Sequence, residues 1–169
     1  MENFGKIIDQ KDRVNTIWNE KYRPQTLDDF IGNEKLKNSI QRQLEEGDIQ
    51  NYIFYGGPGG GKTTLAKIIA REISSDYHYF NATTFKIEDL RKVFDRYKNS
   101  FIKPLIFIDE VHRLSKNQQE VLLPIMENYD ATIIGASTEN PFFTLTSAIR
   151  SRSFLYEFLP FTYNEMERI

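Results

Sequence analysis

The chain has 169 residues, 40% of them hydrophobic and 27% charged, the make-up of one ordinary globular domain long enough to bury a core. A net charge of −2 gives no global basic field for nucleic acid, although Lys and Arg gather at residues 20–23 and again at Arg150 and Arg152. Cysteine is absent, which excludes disulfides, thiol catalysis and cysteine zinc sites, and neither a membrane-length apolar run nor a signal-peptide pattern is present, so the expected location is the cytoplasm.

Residues 1–20 are polar with scattered apolar positions, including the only tryptophan, Trp18, and read as an arm packed on the domain. Tyr22-Arg23-Pro24 forces an extended segment, because the residue before proline avoids the helical region. Asn33 is expected to cap a helix with Leu36, Ile40 and Leu44 inward, ended by Gly47-Asp48. A short run of strand formers, Tyr52–Tyr55, follows.

Gly56-Gly57-Pro58-Gly59-Gly60-Gly61-Lys62-Thr63 fits G-x-x-x-x-G-K-[ST], a phosphate-binding loop. A polyphosphate needs several backbone N–H groups converging on it, and glycine lets the chain curl that tightly. Leu65, Ile68, Ile69 and Ile73 then recur at helical spacing, so a strand, the loop and a helix N-terminus come in the order the motif requires. Lys62 can reach the β/γ oxygens, and the Thr63 hydroxyl can take one Mg²⁺ position.

Further strands are expected at Tyr77–Asn81, Leu105–Ile108, Ala131–Ala136 and Ser153–Phe158. Between them, Thr83 or Thr84 is expected to cap a helix with Ile87, Leu90, Phe94 and Tyr97 on one face. Ser115 and Gln118 have capping-box spacing for another, with Leu122 and Ile125 inward and Pro124 as a kink or end. Strands alternating with helices predict an α/β fold with a parallel sheet and right-handed crossovers. Thr162 and Glu165 again have capping-box spacing, and the sequence stops one turn into that helix, which reads as a fragment of a longer protein.

Asp109-Glu110 follow the apolar run Leu105–Ile108, at the end of a buried strand where ligands bind in open α/β sheets. Asp109 is placed to hold Mg²⁺ through water, and Glu110 to orient and deprotonate an attacking water. His112 reads as a polar neighbour packed beside the acids. If the strand 131–136 lies between those ending in Tyr55 and Ile108, Thr138 faces the γ-phosphate, with Asn140 as the substitute; an ordinary N-cap or turn is the competing reading. Asn81 can reach Glu110 and hold it away from water. Arg150 and Arg152 read as candidates for an arginine inserted into a neighbouring subunit's site, Arg152 ahead of Arg150; a solvated basic edge or a DNA phosphate contact is the alternative.

Together these features resemble the AAA+ ATPases of the clamp-loader clade, and within it the RarA/MgsA group related to the Werner-helicase-interacting ATPase. The resemblance runs from Glu20 to Pro160 and is carried by Asp109-Glu110-Val111-His112-Arg113, Asn117-Gln118-Gln119, Leu123-Pro124, Gly135–Pro141 and Ser151-Arg152. The phosphate loop is similar to the family's G-P-P-G-T-G-K-T, with Gly57 and Gly60 replacing proline and threonine.

The resemblance implies a P-loop NTPase of AAA+ type, a five-stranded parallel sheet flanked by helices, with residues 21–160 as the ATPase core and 161–169 as the start of a lid domain otherwise missing. Tyr22, Arg23, Pro24, Ile31 and Gly32 would surround adenine, although the usual glutamine after the glycine is Asn33. Gly57, Pro58, Gly59, Gly60, Gly61, Lys62, Thr63 and Thr64 would hold the phosphates of ATP, and Thr63 and Asp109 the Mg²⁺. Glu110, Lys62, the γ-phosphate sensor Thr138 and the arginine finger Arg152 would carry catalysis. The implied protein is a homo-oligomer in the bacterial cytoplasm and nucleoid, acting on single-stranded gaps or duplex ends with single-stranded-DNA-binding protein or replisome components. This chain alone is expected to turn over poorly.

Rival readings are RuvB, the Holliday-junction motor; a clamp-loader-like nucleotide-gated adaptor; a DExH helicase; and an unfoldase. RuvB-like chains carry a long β-hairpin where only residues 127–130 stand here. The helicase needs a second similar domain, and the unfoldase an aromatic-apolar pore loop where residues 82–90 hold one aromatic, Phe85.

Overall fold

A computed structural model describes residues 22–168, so the expected arm and Trp18 lie outside the described residues. The strands are β1 (Tyr52–Tyr55), β2 (Tyr77–Asn81), β3 (Leu105–Asp109), β4 (Thr132–Ser137) and β5 (Phe154–Glu157). All pair in parallel, in the order β2-β3-β4-β1-β5. The central three are almost wholly buried, as strands covered on both faces must be, whereas the edge strands β2 and β5 are only half-buried.

Four helices cover the two faces: α1 (Glu34–Glu46), α2 (Lys62–Glu72), α3 (Ile87–Tyr97) and α4 (Lys116–Glu127). Side chains alternate across the pleat, so Phe54, Phe107 and Ile134 meet Leu36 and Ile40 of α1 and Leu65, Ile68 and Ile69 of α2. Ile53, Ile106, Ile108 and Ile133 point the other way, onto Leu90 and Val93 of α3 and Leu122 and Met126 of α4. Each such side chain contributes about 1.5–3 kcal/mol on burial. Short helices α5 (Pro141–Thr144), α6 (Ser147–Ser151) and α7 (Tyr163–Met166), and a 3-10 turn at Val111–Arg113, complete the described chain.

Several local expectations are corrected. Asn33 stands at the start of α1 in a left-handed conformation (φ 52°) with no side-chain cap. Its amide instead pairs with the backbone of Leu159, accepting from that N–H at 2.8 Å. Thr83 and Thr84 turn back onto Asn81, and α3 starts later, with Lys86 at its N-cap. Pro124 does not end α4, which runs on to Glu127 with the proline inside it. Both capping boxes, Ser115 with Gln118 and Thr162 with Glu165, form as expected.

The topology fixes the working edge. Because all strands run the same way, the ends of β1, β3 and β4 open on one side, with β4 between the other two.

Candidate nucleotide site

Residues 56–61 join β1 to the first turn of α2. Gly56, Gly59 and Gly61 have φ of 137°, 78° and 87°, conformations that side chains resist. A Cβ on Gly56 would lie 2.4 Å from the Phe158 carbonyl oxygen, and one on Gly61 2.9 Å from the Phe30 ring. Gly57 and Gly60 are under no such demand: the first has open space around it, the second only ordinary contacts from 3.4 Å. The Lys62 ammonium folds onto the loop, donating to the carbonyls of Gly56 (2.9 Å) and Gly57 (2.6 Å). Desolvation lowers its pKa from the usual lysine value, and the charge of Asp109 opposes that shift. Lysine and acid therefore share one electrostatic neighbourhood.

Asp109 is the last residue of β3. Its Oδ1 accepts from the Glu110 N–H at 2.9 Å and its Oδ2 from the Tyr79 hydroxyl at 3.0 Å. Glu110 is left-handed (φ 52°), and that turn starts the 3-10 segment; its carboxylate lies 3.7 Å from Arg113 Nε. A non-glycine residue held there costs about 1–3 kcal/mol and tends to mark a functional turn. Asn81, expected near Glu110, has its carbonyl oxygen taken by the Thr83 N–H and hydroxyl. The His112 side chain is buried, and its partners are Ser137 Oγ, 3.1 Å from Nδ1, and Glu139, 3.9 Å from Nε2. The Ser137 carbonyl in turn accepts from Gly56 N–H at 3.1 Å, which ties the end of β4 to the phosphate loop.

Thr138 is the first residue beyond β4, exposed on the edge between β1 and β3. Asn140 caps α5, accepting from the Phe142 N–H at 2.9 Å, so the capping reading holds for Asn140. Among the described residues no group of three or more His, Cys, Asp and Glu side chains gathers. One hydroxyl from Thr63 and one carboxylate from Asp109 suit Mg²⁺, which takes most of its ligands from phosphates and water.

Beside the loop lies a cavity of about 440 Å³ lined by Tyr22, Arg23, Pro24, Ile31, Gly59, Gly61 and Thr64, joined by Phe30, Phe161 and Arg168. Gly32 sits behind Phe161, whose ring is 3.0 Å from where its Cβ would be. The last three lining residues, and Phe158 beneath the loop, were not singled out by sequence reasoning. Phe30 precedes the motif and Phe158, Phe161 and Arg168 come from the far end of the chain, so no local signal marks them; tertiary packing recruits them.

Arg152 lies far from all of this. It stands just before β5, at the opposite end of the sheet, where its guanidinium pairs with Glu127 and donates to the Ala148 carbonyl (2.9 Å) and Ser151 Oγ (3.3 Å). A strand of this length spans about 13 Å, so Arg152 cannot serve its own chain's phosphate loop. Arg150 instead stacks on Phe142, 4.7 Å from the ring centre.

Residues 22–154 match the family described as the Holliday junction DNA helicase RuvB P-loop domain. Replication-associated recombination protein A of Haemophilus influenzae is 38% identical over 155 residues, 88% of this chain and 35% of that protein. ATPase WRNIP1 of Dictyostelium discoideum is 36% identical over 156 residues, 89% of this chain and 18% of that protein. Among solved structures, the Thermotoga maritima RuvB Holliday junction branch migration motor superposes with a TM-score of 0.72 at 31% identity, covering 86% of this chain and 51% of that one. The chain thus spans about a third of the length of the recombination protein it matches, or less in the WRNIP1 case.

Proposed function

The chain belongs to the AAA+ family of RuvB-type P-loop domains, and from that premise we propose that it is the Mg-ATP-binding and hydrolysing core of a replication-associated recombination ATPase driven by DNA. The observation that carries this reading is that Lys62, at the end of the loop after β1, feels the charge of Asp109 at the end of β3, on the same edge of the sheet. Residues 21–160 form the core, and 161–169 begin a lid.

In this reading Lys62 exchanges the carbonyls of Gly56 and Gly57 for phosphate oxygens, a stronger charge-assisted pairing. The loop N–H groups and the start of α2 hold the remaining phosphate charge. Thr63 and Asp109 would hold Mg²⁺, which would supply positive charge against the phosphates. Glu110 orients and deprotonates the attacking water, and Thr138 binds the γ-phosphate or that water. Tyr22, Arg23, Pro24, Ile31 and Gly32 enclose the adenine. Arg152 acts in trans, on the nucleotide of a neighbouring copy in a homo-oligomer. The DNA partner is a single-stranded gap or duplex end, met in the cytoplasm and nucleoid alongside single-stranded-DNA-binding protein or replisome components.

The RuvB-like motor is the second reading, favoured by the family match and the superposition. Against it, residues 128–131 between α4 and β4 hold no hairpin. Phosphate release by the assembled protein with gapped, single-stranded and four-way DNA separates the two, since a branch-migration motor responds most to four-way DNA. Glu110→Gln is expected to bind ATP normally and to lose hydrolysis; equal rates in the two proteins would remove the enzyme reading.

A further inference from the structure

Tyr79 lies on the edge strand β2, and nothing in the sequence motifs gives it a role. In the β2–β3 register Tyr79 pairs with Phe107 and Asn81 with Asp109. Its ring stacks on Phe107 with centroids 5.9 Å apart. From there the hydroxyl reaches forward along the strand, past a two-residue step of about 6–7 Å, to Asp109 Oδ2 at 3.0 Å.

We propose that Tyr79 is a positioning residue for the metal site, its hydroxyl fixing the orientation of the Asp109 carboxylate toward Mg²⁺. The inference rests on the nucleotide-binding reading above. Each oxygen of Asp109 receives one hydrogen bond, Oδ1 from the Glu110 backbone and Oδ2 from Tyr79. A carboxylate has about four acceptor directions, so two donors hold the plane of the group and leave lone pairs aimed in set directions. The backbone donor is fixed by the turn at Glu110; Tyr79 supplies the second, without which the carboxylate rotates about its last bond.

Partners of metal-ligating carboxylates typically contribute 10–100-fold to metal affinity, and the same range is expected here. Tyr79→Phe keeps the ring and its stacking on Phe107 and removes only the donor, on a residue that is half exposed. The test is a Mg²⁺ titration of a fluorescent ATP analogue bound to the chain, alongside binding in EDTA and the thermal midpoint. Tyr79→Phe should raise the half-saturating Mg²⁺ concentration by about 10–100-fold, with metal-free binding and the thermal midpoint unchanged. In an Asp109→Asn background the same substitution should have no further effect, because Tyr79 acts only through that carboxylate. An unchanged Mg²⁺ midpoint in a folded, nucleotide-binding Tyr79→Phe protein overturns the inference and leaves the proposed function standing. Failure of the unsubstituted chain to bind the analogue at all overturns the nucleotide reading instead, and this inference with it.

Discussion

At the edge where β1, β3 and β4 end, the backbone does most of the positioning: three left-handed glycines shape the loop, and the Ser137 carbonyl ties it to β4. At the opposite edge, where β5 begins, side chains do that work. Buried Asn51 accepts from the Ile133 N–H at 2.8 Å and donates to the Arg152 carbonyl at 3.4 Å, while the Arg152 guanidinium rests on Glu127. The first edge is a preformed cradle for anions. The second presents a cation already neutralised by its own chain and a full strand away from that cradle. In the proposed reading one copy carries two halves of different sites, and joining them would require a second copy and an exchange of Arg152 away from Glu127.

The largest effect should come from removing the cation. In the assembled protein, Arg152→Ala is expected to lower the ATPase rate by about 10³–10⁵, or roughly 4–7 kcal/mol of transition-state stabilisation, with ATP still bound. Mixing it with Glu110→Gln protein should recover part of the activity, since the Glu110→Gln copy lends its Arg152 to a neighbour whose own acid is intact. A mixture as inactive as its components would break the division of labour between the edges.

A smaller effect sharpens the same contrast. Asn51→Ala leaves the Ile133 N–H and the Arg152 carbonyl without their partner in a buried place, which costs about 1–3 kcal/mol. The thermal midpoint should fall by several degrees, at about 2–4 °C per kcal/mol for a chain of this size. Nucleotide binding at the far edge should survive; its loss would mean that the two edges are mechanically coupled.

How much of this was legible follows from what each feature depends on. The strand at Tyr52–Tyr55 and the one at Tyr77–Asn81 have the limits their apolar and β-branched or aromatic runs suggest; β3 runs one residue further than expected, and β4 and β5 each differ by one residue at both ends. The placing of β4 between β1 and β3 also fits the conditional reading of Thr138. Motif chemistry is local, so Lys62, Thr63, Asp109 and Glu110 could be named from spacing alone. Tyr79, Phe158 and Phe161 could not, because they reach the site across strands or from the far end of the chain. Asn33 and Thr83 each have side-chain atoms suited to a cap, but a competing partner wins: for Asn33 it is Leu159, brought up by the tertiary fold, and for Thr83 it is Asn81 in a local turn.

The smallest prediction concerns the loop's own glycines, and its sign is the informative part. Gly57 and Gly60 stand where the resembled family has proline and threonine, and neither has a left-handed backbone or lacks room for a Cβ. Restricting such positions stabilises by about 0.4–1 kcal/mol each, through the unfolded chain. Gly57→Pro with Gly60→Thr should therefore raise the thermal midpoint by about 2–8 °C. Gly61→Ala should lower it, since its left-handed backbone and the Phe30 ring at 2.9 Å leave no relaxed place for a methyl group. If Gly61→Ala proves as benign as the pair, the cradle is not preformed by backbone handedness, and the contrast between the two edges loses its physical basis.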